Sequence, residues 1–144
     1  MGKFSRKNAE YKLSETSAMV QIDTFLDGYG IDPDARDDEQ KSIITTQLEK
    51  LLKYIRLGYV EIADNLTITQ NLKDPPGDVP TIVYKKLKGK NVIDSDGAGK
   101  GEKYNEKLHA LLGSLCGDGP AVFQTLGPID LSVAEVLGLL FLAR

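Results

Sequence analysis

The chain has 144 residues, 41% hydrophobic and 27% charged, with a formal net charge of −3. That is enough chain to bury a core in one domain without covalent staples. The mild acidity argues against a nucleic-acid binder, and a lone cysteine, Cys116, excludes an internal disulfide framework. The first residues, with Lys3, Arg6, Lys7 and Lys12, lack the apolar run of a secretory signal, so a cytoplasmic protein is expected. Residues 1–12 read as a flexible N-terminal tail and 13–144 as a single domain.

From Ser14 to Asp27, Met19, Val20, Ile22, Phe25 and Leu26 recur at helical spacing, and Gly28 with Gly30 stops the pattern. A longer helix is expected over 33–57. Asp32 caps it, Pro33 suits its first turn, and Asp34, Asp37, Asp38 and Glu39 complement the positive end of its dipole. Ile44, Leu48, Leu51, Leu52 and Ile55 form its apolar stripe; Lys50, Lys53 and Arg56 crowd its last turns before Gly58. The acid-to-base order is dipole matching and needs no binding role.

After Gly58 the period changes to two, with Val60 and Ile62, then Leu66 and Ile68. A two-residue turn at Asp64 and Asn65 would set Ile62 opposite Thr67 and mix the faces. A three-residue turn, Ala63 to Asn65, sets Ile62 opposite Leu66 and Val60 opposite Ile68, with Asn65 in the left-handed position. A third strand is available at 81–87, past the loop at Pro75, Pro76 and Gly77. Residues 88–101, rich in Lys, Gly and Asp, have the composition of a mobile surface loop.

Helix returns over 102–116, where Tyr104, Leu108, Leu111, Leu112 and Leu115 share a face, and Gly117 and Gly119 break it. Pro120 starts a short turn of helix through Leu126. The closing helix begins with Ser132 as cap, Glu135 completing a capping box and Leu131 stapled on Val136. Val133, Val136, Leu137, Leu139, Leu140, Phe141 and Leu142 surround its axis, so it must be buried on every side. The run is shorter than the ~20 residues a bilayer needs. It is either the central helix of the domain or one shared with a second subunit. The fold class is α+β, with four to five helices on a small antiparallel sheet of two to three strands.

Catalytic chemistry is sparse. The stretch from Asp94 to Lys100 lacks the first glycine and the hydroxyl residue of a phosphate loop; as a calcium loop it lacks the closing glutamate, Asn105 standing in that place. His109 and Cys116 are seven apart on one helix, about 10 Å and beyond hydrogen-bond reach, and one of each cannot make a typical zinc site. The lysines around Tyr84 read as protection of a strand edge. No enzyme activity, cofactor or metal is expected, and no nucleic acid or membrane partner.

The C-terminal residues carry one resemblance. A helix ending in Leu111, Leu112, Gly113, Ser114, Leu115, Cys116 and Gly117, a linker holding Val122 to Leu126, and an Asp130–Leu131 step into the apolar run Val133 to Leu142 are similar to the small tail assembly chaperones of long-tailed bacteriophages. Thr67 to Pro76 echoes the strand pair and proline turn at the start of some members. The likeness covers about half the chain. It implies a non-catalytic cytoplasmic protein that coats the tape-measure protein until tube subunits replace it, self-associating along that client. Helix-in-groove binding suits such a role, and Leu111, Leu137, Leu140 and Phe141 are the expected partner-binding residues. The alternatives are another structural or head–tail joining component of a phage-like particle, or a small host adaptor domain.

Overall fold

A computed structural model describes residues 10–96 and 104–144. Five α-helices and three strands follow in the order α1 (Glu15–Tyr29), α2 (Asp38–Arg56), β1 (Val60–Ile62), β2 (Ile68–Asn71), β3 (Thr81–Tyr84), α3 (Gly89–Asp96), α4 (Tyr104–Cys116) and α5 (Pro128–Ala143). The sheet is antiparallel with order β1-β2-β3. The fold is α+β, as the patterning indicates. One continuous apolar core runs from Phe25 and Ile55 through Ile68 and Tyr84 to Leu112, Leu137 and Phe141.

Residues 1–9 of the expected tail lie outside the described residues. The end of that segment is tied down: the Lys12 amide donates to the Arg56 carbonyl at 2.6 Å, and the Arg56 guanidinium lies 3.9 Å over the Tyr11 ring. Helix α1 is capped by Ser14, whose Oγ accepts from the Ser17 amide. It runs through Gly28 and ends at Gly30, which takes the left-handed conformation at φ 64°. Gly28 is inside the helix because Leu66 fills the space of its missing side chain; a Cβ there would stand 2.5 Å from the Leu66 methyls.

The helix expected over 33–57 is split. Asp32 caps only a 3-10 turn, Pro33–Ala35; Arg36 is extended, and Asp37, accepting from the Gln40 amide at 2.8 Å, caps α2. Two capping aspartates five apart offer two starts, and the break lets Ile31 turn in to 6% exposure. The hairpin register is also corrected. Ile62 pairs with Ile68 and Val60 with Gln70, because the three-residue turn is Asp64 to Leu66 and not Ala63 to Asn65. Leu66, not Asn65, is left-handed, at φ 70° and 5% exposed. Burying a leucine is worth about 1.5–3 kcal/mol, which exceeds the roughly 1–2 kcal/mol cost of that backbone. β3 stops at Tyr84 because the Lys85 amide leaves the sheet for the Leu115 carbonyl at the end of α4.

Where composition argued for a loop over 88–101, residues 89–96 form α3. Asn91 makes that helix possible: its Oδ1 accepts from the Lys88 amide at 2.8 Å and its Nδ2 donates to Ser114 Oγ of α4 at 2.8 Å. The remainder, 97–101, lies outside the described residues. Helix α5 starts a turn earlier than expected. Gly127 is its cap and Pro128 its first residue, so Ser132 is internal and donates to the Pro128 carbonyl. Gly113 lets the following 3-10 turn, Pro120–Thr125, close onto α4, since a Cβ there would come 2.4 Å from the Gly119 carbonyl carbon.

A buried polar chain joins the sheet to α5. The Tyr84 hydroxyl donates to Gln70 Oε1 at 2.7 Å, and Gln70 Nε2 donates to the Asp130 carbonyl at 2.8 Å. The Asp130 carboxylate accepts from the Lys73 and Asp74 amides at 2.7 and 2.9 Å. Burial pushes the Tyr84 phenol far above its ordinary 10.0, with the neighbouring Cys116 adding to the rise. The folded chain therefore keeps the proton while the unfolded chain releases it above about pH 10. Stability from this group is complete below that pH and falls as pH rises beyond it, by up to about 1.4 kcal/mol per pH unit. Urea midpoints measured between pH 8 and 11 are expected to decline more steeply for the native chain than for Tyr84→Phe; equal slopes would refute the assignment.

Candidate functional site

The four residues expected to bind a partner do not form a surface. Leu111, Leu137, Leu140 and Phe141 are 1, 0, 1 and 1% exposed. Phe141 packs edge-on against Phe25 and Tyr29, at ring distances of 5.8 and 5.6 Å. The expected role is corrected: a folded chain uses these side chains as its own core. The closing helix is its central element, though α5 is not closed on every side. Leu139, Leu142 and Ala143 are only half-buried.

Those residues mark the strongest surface feature. Helices α2 and α5 run antiparallel, the start of α2 beside the end of α5, and two clefts lie end to end along their seam. One, of about 250 Å³, is lined by Gln40, Ile43 and Ile44 with Leu142 and Ala143. The other, of about 380 Å³, is lined by Gln47 and Tyr54 with Ser132, Val136 and Leu139. Positions 40, 43, 47, 50 and 54 share one face of α2, and 132, 136, 139 and 143 one face of α5, so the two clefts follow one another along a single seam, the α2–α5 groove. From 40 to 54 it spans about 21 Å at the helical rise of 1.5 Å per residue.

The lining is mixed: Ile43, Ile44, Val136, Leu139, Leu142 and Ala143 are its apolar part, and Ile43 stands 51% exposed at the edge. The rim carries Arg36 and Arg144 at one end and Lys50 and Lys53 at the other, against Glu135. Among the described residues none of these four cations makes an ion pair; the pair seen is Lys41 with Asp34 at 2.7 Å, outside the groove. Gln47 Oε1 is buried in the seam and has no donor among the described residues. Burial raises the Tyr54 phenol, and the nearby Glu135 charge adds to it.

The residues weighed for chemistry do not converge. His109 stacks on Phe123 at 5.6 Å, and the Cys116 thiol, raised by burial, donates to the Gly113 carbonyl at 3.5 Å. Asp94 and Asp96 fall in α3, while 97–103 of the phosphate-loop and calcium-loop stretch lie outside the described residues. Among the described residues no three His, Cys, Asp or Glu side chains are grouped to hold a metal ion, and no helix is long and apolar enough to cross a membrane. Sequence reasoning missed the groove because its residues sit on two helices 90 positions apart. The available signals were Ile43, off the α2 stripe, and Leu139 and Leu142, in excess of what one core face needs. No family model, no curated protein and no solved structure matches this chain.

Proposed function

We propose that this chain is a non-catalytic tail assembly chaperone of a long-tailed phage or prophage, working in the host cytoplasm to hold the tape-measure protein until tube subunits replace it. The observation that carries the reading is the α2–α5 groove: clefts along about four turns of helix, with half-buried Leu139 and Leu142 and exposed Ile43 among polar neighbours, suit one face of a helical client. The order of α4, linker turn and α5 supports it as the sequence resemblance does. Among the described residues, other exposed apolar side chains include Met19 and Val20 on α1, Val79 before β3 and Val83 on β3.

Co-expression with overlapping fragments of the tape-measure protein encoded beside it is expected to co-purify at least one fragment with the chain. Mass spectrometry of finished particles is expected to find the chain absent. Failure to capture any fragment, or retention of the chain in the particle, overturns the reading; retention would make it a structural component.

A further inference from the structure

We infer that the α2–α5 groove takes an acidic amphipathic helix of another protein, which lies along the seam as a third helix and sets its carboxylates against Arg36, Lys50, Lys53 and Arg144; this rests on the protein-binding reading above. Two observations on one surface meet there. Both clefts offer apolar side chains, Ile43, Leu142 and Ala143 in one and Val136 and Leu139 in the other, against which leucines of a helix about four turns long would pack. The cations flank that lining at both ends and make no ion pair among the described residues, with Arg144 Nη1 donating to the Phe141 carbonyl at 2.7 Å; Glu135 is the one carboxylate among the lining residues.

Charge also argues against the nearest intramolecular occupant. The segment before Glu10 carries Lys3, Arg6 and Lys7 and is of the same sign as the rim. The chain as a whole is net negative, at −3. Four cations along a partly apolar slot therefore stand out from that background, and charge complementarity sets specificity and association rate more than raw affinity.

The probe is a synthetic amphipathic helix with leucines on one face and glutamates on its flanks, compared with a twin whose glutamates are lysines. Binding to the full chain is followed by fluorescence anisotropy at low and high salt. The acidic helix is expected to bind at least about tenfold tighter than its basic twin, with the difference shrinking in salt. Lys50→Glu/Lys53→Glu should reverse that order, and Ile43→Asp should weaken both peptides. All three positions are exposed, so unchanged thermal melts certify folding. Equal binding of the two peptides, or none, overturns the inference. So does an isolated protein that is a dimer dispersed by Ile43→Asp, which would make the groove a contact between copies. Capture of a tape-measure fragment with wild-type affinity by Lys50→Glu/Lys53→Glu would leave the chaperone reading standing and sink this one alone.

Discussion

Phe141→Ala is expected to destabilise the isolated chain by about 3–5 kcal/mol, a large part of the stability of a domain this size. The ring is 1% exposed and closes a three-ring cluster with Phe25 and Tyr29. Its loss leaves a cavity at the junction of α1 and α5. Tyr29 is also held by that cluster, and its hydroxyl accepts from the Leu87 amide at 3.0 Å, so the exit of β3 should loosen with it. Urea unfolding by circular dichroism reads the loss, and Leu142→Ala, one residue on and half-buried at the groove, should cost clearly less. If Phe141→Ala left the midpoint unchanged and only weakened partner binding, the ring would be a docking residue and its placement in the core would be wrong.

That experiment bears on how far a sequence discloses a surface. The apolar stripes of α2 and α4 are visible from spacing alone, because each buries its periodic face, Ile44 and Leu51, Leu108 and Leu112; of the α1 residues at helical spacing Ile22 and Phe25 are buried, while Met19 and Val20 face out. The α+β class followed from the change of period after Gly58. What spacing does not reveal is decided between elements. Leu66 takes a left-handed backbone because Gly28, 38 positions earlier, leaves room for it, and the hairpin frame moves one residue in consequence. Residues 89–96 look like a loop until Ser114 of α4 supplies a partner for Asn91. Helix α5 is apolar all round, and nothing within it says that Leu137, Leu140 and Phe141 turn inward while Leu139 and Leu142 line a groove; only the position of α2 decides that.

The same dependence on distant partners makes Asp130 a sharper test than any core leucine. Asp130→Ala is expected to cost about 3–5 kcal/mol, because it removes the acceptor of two charge-assisted hydrogen bonds from buried surroundings. The residue is 2% exposed, in the first turn of α5, where the helix dipole favours a negative charge. Its carboxylate accepts from two consecutive amides, Lys73 and Asp74, and so fixes the chain leaving β2 against the start of α5. Alanine removes both acceptors and leaves those amides facing a methyl group; hydrogen bonds to charged acceptors are worth about 1.5–3 kcal/mol each. Asn keeps one acceptor oxygen and is isosteric, so Asp130→Asn should recover part of the loss, with one amide poorly matched. The two variants separate hydrogen bonding from volume. Amide hydrogen exchange at Lys73 and Asp74 should accelerate in both, more in alanine, while Gln70, tied through the Asp130 main-chain carbonyl, should change less. Equal stability of Ala, Asn and Asp at this position would mean that the loop is held by its prolines and not by the carboxylate.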